Sequence, residues 1–497
     1  MLVVALVAAW FVSVPEARAS ACGPGDLPET GVQGEVPAAD QLSGRSKQGY
    51  RCNVRPVGSN DLDGLGGDIQ LTWFRTCAYQ VSPKGDAASE GVAVLDVADP
   101  RRPRLVTTLR EPAWAGRGGP ALGIHEGVHA SAARGILIVP IGTMLSIYDV
   151  SKDCRRPVHV ADVDAGTDGD PTHSEAAGAG GIHSGQLSPD GTLYFATDIG
   201  NGAVAPNGPC LTIFDLADLR HPKLLTRWGL DFPCHDLELR PDGKRAYVGY
   251  YAPTVGHPSA VVGAFTPVGQ PAHALSGIKV VDITHVRQGK LAVLGQLEGG
   301  RQHTEVYARI GTREYLLGAE EAYCPAGSGR IVDITDERHP VEVGELSLAI
   351  NTLPNCDKAS YNQNGDVLHF TSHYLSVDDP SNASLAFYTW YGSGLRVFDI
   401  RDPRHPREVA YYNPPVGEGS TRTQDSATTY PRYLPATGQI WFGSRVNGLN
   451  VVELDPRLRP KPGGRWSVGV PGRAVAGLAS RSVPASEPGF GFCTLAR

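Results

Sequence analysis

The chain has 497 residues, of which 60 are glycine, 39 are proline and only two are methionine. Charged residues make up 20% of the chain, and the formal net charge of −7 comes with lysine and arginine scattered along the sequence. This composition is typical of a turn-rich β protein and leaves few stretches that could hold a long helix. Without a basic stripe interleaved with aromatic residues, nucleic acid is excluded as an expected partner.

The N-terminus carries the features of an export signal. Residues 2–14 form the apolar run LVVALVAAWFVSV, and Ala17-Arg18-Ala19 follows as a small-x-small cleavage site, although no lysine or arginine precedes the run. The run is too short to span a bilayer, and no later stretch is long enough to do so. We expect residues 1–19 to be a signal peptide and the mature protein to be secreted, either extracellular or at the cell surface, with no transmembrane segment.

A second interpretation of the same region is a lipoprotein. Ala19-Ser20-Ala21-Cys22 would then be the cleavage site and Cys22 would carry a lipid anchor, but the usual leucine three residues before the cysteine is missing. Residues 20–49 show no periodicity and are expected to form an extended N-terminal arm.

One unit recurs seven times after this arm. It is a strand that ends in an aspartate-rich turn and is closed by an X-Pro step, as in LTIFDLADLRHP (211–222). Its anchor residues follow one another at intervals of 51 to 67 residues: Asp96, Asp149, Asp215, Asp282, Asp333, Asp399 and Asp455. A β unit of this size cannot bury its own faces, so its repetition indicates a propeller or a solenoid. We predict an all-β fold, a seven-bladed β-propeller of four-stranded blades over residues 50–460, followed by a tail over 461–497.

Two details of the repeats lead to further expectations. Paired aspartates such as Asp215 and Asp218 could bind calcium, but one pair in most blades fits the capping of a turn better. The histidines of the R-H-P turns are expected to be structural. Segments 253–276 and 374–393 lie between predicted strands and are expected to be surface loops.

Histidines recur at the predicted starts of the inner strands. His183, His235 and His303 each lie eight residues before a turn glycine, and Asp357 lies eight before Gly365. His125 lies ten before Gly135, which one bulge would reconcile. Asp425 and Asn53 are less securely aligned candidates, whereas His129 and His173 are off-register and are expected on the surface or in loops.

These strand starts line the mouth of the central channel in a propeller, so the side chains should converge there. Neutral imidazole suits copper, zinc, iron or nickel, and neighbouring carboxylates (Asp236, Glu305 and Glu126) could orient the rings. The sequence therefore predicts a metal site made by His125, His183, His235 and His303, with Asp357 as a further candidate ligand. An ordinary pore lining, with water in the channel, is the alternative.

The cysteines suggest disulfides between blades, which export would permit. Cys234 and Cys356 each precede a predicted inner strand, and Cys210 and Cys324 each precede the aspartate strand of the blade before. We predict the pairs Cys210–Cys234 and Cys324–Cys356, with Cys77–Cys154 on the opposite rim. Of the remaining cysteines, Cys22, Cys52 and Cys493, one is left over.

The unit [LIV]-x-[LIV]-x-D-[ILV]-x-D-x-R-x-P resembles the LVIVD repeat of secreted and surface bacterial propellers over residues 50–460. The opening CGPGDLPETGVQGEVP with GYRCN is similar to the start of actinobacterial members. The resemblance implies an extracellular binding or scaffold module whose partner is an unknown protein or small molecule.

A more distant similarity, in architecture and histidine placement, is to the selenium-binding proteins and methanethiol oxidases. It implies a copper-dependent oxidase as the alternative function, and acid-base chemistry by histidine and aspartate is a third option.

Overall fold

The computed structural model describes residues 22–67, 69–82, 91–114, 126–165, 182–197, 209–229, 234–250, 276–300, 302–322, 324–325, 327–359, 370–417 and 419–460. Within these ranges the chain forms seven antiparallel sheets, each built around four strands. The predicted seven-bladed β-propeller is therefore confirmed.

The first four blades follow the chain in order, each running from its inner to its outer strand. Blade 1 contains β3 (Leu71–Phe74), β4 (Cys77–Val81), β5 (Val92–Asp96) and β6 (Arg104–Leu109). Blade 2 contains β7 (His129–Ser131), β8 (Ile136–Ile141), β9 (Met144–Asp149) and β10 (Val158–Asp164). Blade 3 contains β11 (Ser184–Leu187), β12 (Leu193–Thr197), β13 (Pro209–Asp215) and β14 (Lys223–Gly229). Blade 4 contains β15 (Cys234–Leu239), β16 (Arg245–Tyr250), β17 (Gly277–His285) and β18 (Lys290–Glu298).

The last three blades continue this order, and the final one has only three strands of its own. Blade 5 contains β19 (Gln302–Ile310), β20 (Arg313–Glu320), β21 (Gly329–Asp333) and β22 (Val341–Leu346). Blade 6 contains β23 (Ser372–Val377), β24 (Leu385–Trp390), β25 (Gly394–Asp399) and β26 (Arg407–Asn413). Blade 7 contains β27 (Arg432–Leu434), β28 (Gln439–Ser444) and β29 (Gly448–Leu454).

The N-terminal strands complete the ring. β2 (Val54–Asn60) pairs with β29 and supplies the outer strand of blade 7, while β1 (Tyr50–Cys52) adds a fifth strand to blade 6. The propeller therefore begins at Tyr50 with two outer strands, and its first inner strand is β3. Asn53 lies between these two outer strands, with φ of 57°, and does not reach the channel through an inner strand.

Burial follows the position of a strand within its blade. Every residue of β5 is buried, whereas β6, the outer strand of the same blade, contains no buried residue. Each blade packs between two neighbours, so both faces of its inner three strands are covered. The inner strands of a blade are for this reason buried on both faces.

The aspartate-rich turns are capped by their own side chains. Oδ1 of Asp215 accepts a hydrogen bond from the Ala217 N–H at 2.9 Å, and Asp218 does the same with Arg220 at 3.0 Å. His221 Nδ1 lies 2.9 Å from Asp218 Oδ2 in the same exposed turn. These contacts agree with the turn-capping interpretation, and the R-H-P histidines lie in the turns as expected.

One expected surface loop is a pair of core strands. The expectation for 374–393 was wrong, because β23 and β24 occupy this segment and all their residues are buried. The apolar run LAFYTW is a strand that blades 5 and 7 cover on both sides. Most of the other expected loop, 253–276, lies outside the described residues.

The N-terminal arm is anchored to blade 6. It contains a helix (Ala38–Ser43) and a 3₁₀ turn (Arg45–Gln48). The fully buried Arg396 pairs with Glu29 of the arm and, at 3.0 Å, with Glu408. The other short helices of the described residues are Pro112–Trp114, Val286–Gln288, Ala349–Asn351, Leu353–Asn355 and Cys356–Ala359.

Four disulfides connect these parts: Cys22–Cys52, Cys77–Cys154, Cys210–Cys234 and Cys324–Cys356. The three pairs expected from the sequence are among them. The fourth uses the Sγ atom of Cys22 that a lipid anchor would need, and Cys493 lies outside the described residues. In the described part of the chain, no helix is long and apolar enough to cross a membrane.

Candidate metal centre

Four consecutive blades place a histidine at the same end of the inner strands. His183 immediately precedes β11, and His235, His303 and His373 are each the second residue of β15, β19 and β23. Because the inner strands surround the channel axis, equal positions in successive blades bring side chains together that are 52 to 70 residues apart in sequence.

The four imidazoles form a continuous arc. The ring centroids of His183 and His235 are 4.4 Å apart, those of His235 and His303 are 4.1 Å apart, and those of His303 and His373 are 4.4 Å apart. Nε2 of His183 lies 2.9 Å from Nε2 of His235. Two nitrogen ligands at about 2.0–2.1 Å from one ion stand about 2.9–3.4 Å apart when the N–metal–N angle is about 90–110°. The distance between the first pair of rings therefore fits both a hydrogen bond between them and two ligands on one ion.

Two carboxylates face this arc. Glu126 lies just before β7 of blade 2, and its Oε2 is 3.4 Å from His183 Nε2 while its Oε1 is 3.6 Å from Nε2 of both His303 and His373. Glu321 follows β20 and lies 3.8 Å from His303 Nε2 and 3.7 Å from His373 Nε2. Imidazole nitrogen and carboxylate oxygen are together the ligand types of zinc, copper and iron sites.

Some of these atoms are buried and make no hydrogen bond, although carboxylate oxygens lie 3.6–3.8 Å from them. Among the described residues, both ring nitrogens of His303 and Nε2 of His373 have no hydrogen-bond partner, and both residues are fully buried. Leaving a buried polar atom unsatisfied costs about 1–3 kcal/mol. A bound cation would satisfy the Nε2 atoms, which face the carboxylates.

The charges of the site are strongly coupled. Burial alone would raise the pKa of Glu126, but the neighbouring His183 and His303 hold it well below the usual range. Burial would lower the pKa of His303, but Glu126 and Glu321 raise it to about 9. Burial lowers the pKa of His235, and the positive charges of His303 and His183 lower it further. The carboxylates thus create a place where positive charge is favoured, whether a proton or a metal ion supplies it.

A second layer of buried polar side chains lies next to the histidines and connects the starts of the inner strands. The buried Asp236 accepts hydrogen bonds from the hydroxyls of Ser184 at 2.5 Å, Thr304 at 2.6 Å and Tyr430 at 2.7 Å. These partners belong to blades 3, 5 and 7, so one carboxylate connects the ring across its axis. Burial raises the pKa of Asp236.

A disulfide adjoins the arc. Cys234 precedes His235 and is bonded to Cys210 of β13, so the bond joins blades 3 and 4 beside the site. Both cysteines are in the disulfide and cannot act as thiolate ligands. The same holds for Cys22 and Cys52, which lie close to Asp26 elsewhere on the molecule.

The structure brings together only part of the predicted ligand set. His183, His235 and His303 meet, whereas His125 lies outside the described residues. Asp357 lies in the short helix Cys356–Ala359, where it is exposed and belongs to none of the ligand groups found among the described residues.

The remaining candidates lie around the arc or away from it. Glu126, expected to orient a ring, belongs to the arc itself. Asp425 is buried in blade 7 and accepts a hydrogen bond from the Ser444 hydroxyl at 2.7 Å. Glu305 is buried beside Gly249, outside the ligand groups of the described residues. His129 was wrongly expected on the surface, since it is buried in β7, where its Nδ1 lies 3.1 Å from the Leu187 N–H nitrogen and burial lowers its pKa to about 3.

His373 and Glu321 are the site residues that sequence reasoning missed. The available signal was the position of histidine directly before a run of strand-forming residues, as in HDLEL (235–239), HTEVY (303–307) and HYLSV (373–377). Glu321 lies in a connection and has no counterpart in a repeat, so no sequence signal marked it.

Comparison with known proteins adds a likeness of fold. Neither a protein-family model nor a curated protein sequence matches the chain. Similar solved structures include a Lactobacillus plantarum protein, with 13% identity, a TM-score of 0.44 and coverage of 70% of this chain and 87% of that one. The β-propeller domain of Cps50 (Swd1) from Myceliophteria thermophila has 9% identity, a TM-score of 0.48 and coverage of 80% and 99%. Raptor from Chaetomium thermophilum has 11% identity, a TM-score of 0.48 and coverage of 83% and 30%.

Proposed function

We propose that this protein is an extracellular propeller that binds a transition-metal ion at the histidine-lined mouth of its central channel. The observation that carries the proposal is the convergence of four imidazoles and two carboxylates on one region, with Nε2 of His303 and of His373 buried and lacking a hydrogen-bond partner among the described residues. Copper and zinc are the ions that best suit an imidazole-rich site with carboxylate oxygens.

The arrangement of the rings supports metal binding over an ordinary pore lining. In a pore lining, the imidazoles would turn their free ring nitrogens towards the open channel. Here Nδ1 of His235 faces the His303 carbonyl at 3.0 Å, and Nδ1 of His373 faces the Thr428 carbonyl at 2.5 Å. The Nε2 atoms of both rings are turned towards the other imidazoles and the carboxylates instead.

The extracellular location rests on separate observations. The apolar segment with its cleavage site precedes the arm, and the eight described cysteines are all paired in disulfides, which form and persist in oxidising compartments. The resemblance to secreted LVIVD-repeat propellers points the same way. We include a binding or scaffold role in the proposal, whereas the oxidase alternative has no observation in its favour beyond the histidines.

The test is the metal content of protein recovered from an oxidising export compartment. Wild type, loaded with Cu²⁺ or Zn²⁺ and then dialysed extensively, is compared with a His183→Ala/His373→Ala variant. We expect the wild type to retain stoichiometric metal in elemental analysis and the variant to lose at least 90% of it, because the two substitutions remove ligands from both ends of the arc.

The matched control is His221→Ala/His339→Ala, which removes two exposed histidines from the turns on the opposite rim. This variant should retain as much metal as the wild type. Circular dichroism and thermal unfolding establish that each variant is folded. A folded wild type that retains neither ion after dialysis would disprove the proposal.

A further inference from the structure

We infer that the arc is built for two metal ions that share the carboxylate of Glu126. This inference rests on the proposed metal binding and specifies its stoichiometry and geometry. It follows from the way the four histidines, Glu126 and Glu321 form groups of neighbouring ligand atoms.

The ligand atoms fall into overlapping groups of three. One group contains Glu126, His183 and His235, and a second contains Glu126, His303 and His373; within each, the ligand atoms lie within 4.8 Å of one another. A third group, made by His235, His303 and Glu321, overlaps the boundary between the first two. The arc is therefore continuous, but each group contains only half of its six residues.

One ion is a poor match for this spread. Ligands at about 2.0–2.2 Å from a metal are at most about 4.4 Å apart, even when they lie on opposite sides of it. A zinc or copper ion takes about four or five ligands, so one ion would leave part of the arc unused. Two ions about 3.5–4 Å apart, the usual spacing in two-metal sites, would use all six side chains.

Glu126 has the position of a bridging ligand. Its Oε2 faces His183 at 3.4 Å, while its Oε1 faces His303 and His373 at 3.6 Å. The two oxygens of one carboxylate therefore face different rings, Oε2 facing one and Oε1 facing two. Glu126 is buried, so little water can compete with its carboxylate for a bound ion.

Glu321 lies beside the second position. Its two oxygens lie 3.8 Å from His303 Nε2 and 3.7 Å from His373 Nε2, and the Tyr391 hydroxyl donates a hydrogen bond to Oε1 at 2.7 Å. Such an outer hydrogen bond orients a ligating carboxylate. The second ion would have His303, His373 and Glu126 as its ligand group, and Glu321 lies in the neighbouring group with His235 and His303.

Among the residues that the structure describes, the first position has three protein ligands, His183, His235 and Glu126. A four-coordinate ion there keeps one position for water or for a small oxygen or nitrogen ligand. His183 borders this position, and its side chain is 11% exposed, whereas those of His303 and His373 are fully buried. Of these three histidines, His183 is therefore the one with exposed side-chain surface.

The experiment is a stoichiometric titration of the full mature protein with Cu²⁺, read by elemental analysis after dialysis and by electron paramagnetic resonance. We expect two equivalents in the wild type, with a spectrum broadened by coupling between neighbouring ions. His183→Ala/His235→Ala should retain one equivalent, as should His373→Ala/Glu321→Gln, and each should give the sharp spectrum of an isolated ion. His221→Ala/His339→Ala should behave as the wild type.

The outcomes separate this inference from the proposed function. One equivalent in the wild type, lost in both double variants, would overturn the two-ion centre and leave metal binding intact. No retained metal would overturn both. Two ions without spectral coupling, one of them lost in the opposite-rim control, would show a remote second site and also overturn the inference. The wild-type titration and spectrum decide the question even if a double variant does not fold.

Discussion

The histidines of the arc are oriented by their backbone partners before any ion binds. A ring nitrogen that faces a carbonyl oxygen must carry hydrogen, so the contacts of His235 Nδ1 with the His303 carbonyl and of His373 Nδ1 with the Thr428 carbonyl determine the tautomer. In the neutral rings, Nε2 then holds the lone pair that binds a metal. Metal sites commonly fix their imidazoles in this way, which reduces the reorganisation needed on binding.

Asp378 provides a pH-dependent test of burial at a single residue. It lies at the end of β23 and accepts hydrogen bonds from the Ser384 hydroxyl at 2.6 Å and from the Ser384 and Leu385 N–H groups at 2.8 and 2.9 Å. Burial raises the pKa of this carboxyl from 3.8 to about 6 in spite of these donors. Between these two values the native state binds more protons than the unfolded state, so stability falls as pH rises from about 4 to about 6.

The expected effect is a loss of about 3 kcal/mol in the free energy of unfolding across that interval, from about two pH units at 1.36 kcal/mol each. Asp378→Asn keeps an acceptor for the N–H groups but cannot titrate, so the difference between wild type and variant should fall by this amount from pH 4 to pH 7. Urea unfolding at both pH values measures it, and the other titrating groups cancel. A difference that grows with pH would mean that the hydrogen bonds outweigh burial and would contradict the prediction.

At the scale of elements, the Cys210–Cys234 disulfide joins blades 3 and 4 directly beside His235. Replacing both cysteines with serine should lower the free energy of unfolding by about 3.5 kcal/mol, the loop-closure value for a separation of 24 residues. The substitution should also weaken metal retention, because β15 begins at Cys234 and positions His235. Urea unfolding and metal analysis measure the two effects.

Cys77–Cys154 is the matched control, since it lies on the opposite rim. Its separation of 77 residues predicts a larger loss of stability on replacement by serine, about 4.5 kcal/mol, with metal retention unchanged. If both serine variants lowered metal retention equally, the disulfide beside His235 would have no specific role in the site.

The strands and turns also differ in how far their part in the site could be predicted from the sequence. The aspartate turns have a local pattern, so the number of blades and three of the histidines could be predicted from spacing. The inner strand of blade 6 was placed wrongly because Asp357 lies eight residues before Gly365, the spacing that the three histidines have, although a short helix forms there. Because of that error His373 was not recognised as a site residue. Glu321 was missed because it lies in a connection between strands, and its position beside the histidines is set by the folded chain.

At the scale of the whole molecule, the ring must be closed for the arc to exist. The ligands come from blades 2 to 6, whose relative positions depend on every interface between neighbouring blades. Closure is made by β2, a strand from the N-terminus that pairs with β29 near the other end of the propeller. The strand that completes blade 7 also packs against the aspartate turn of blade 1.

Glycines at equivalent positions test this closure. A β-carbon on Gly58 of β2 would lie 2.4 Å from the Pro100 carbonyl oxygen in the turn of blade 1. The same approach of an outer strand to the next blade's turn recurs at Gly295, where the distance to the Glu337 carbonyl oxygen would be 2.3 Å. If β2 is as firmly held as an ordinary outer strand, Gly58→Ala and Gly295→Ala should each cost about 1–3 kcal/mol, the usual penalty of overpacking.

The control for these substitutions is Gly419→Ala, because a β-carbon there would meet nothing within 4 Å and the expected change is within about 0.5 kcal/mol. Urea unfolding of the three variants, followed by both fluorescence and circular dichroism, gives the free energies. Equal costs at Gly58 and Gly295 in one cooperative transition mean that the N-terminal strand belongs to the folding unit. A negligible cost at Gly58 would mean that β2 adapts independently of the ring, and closure would then have to depend on the contacts of blade 7 itself.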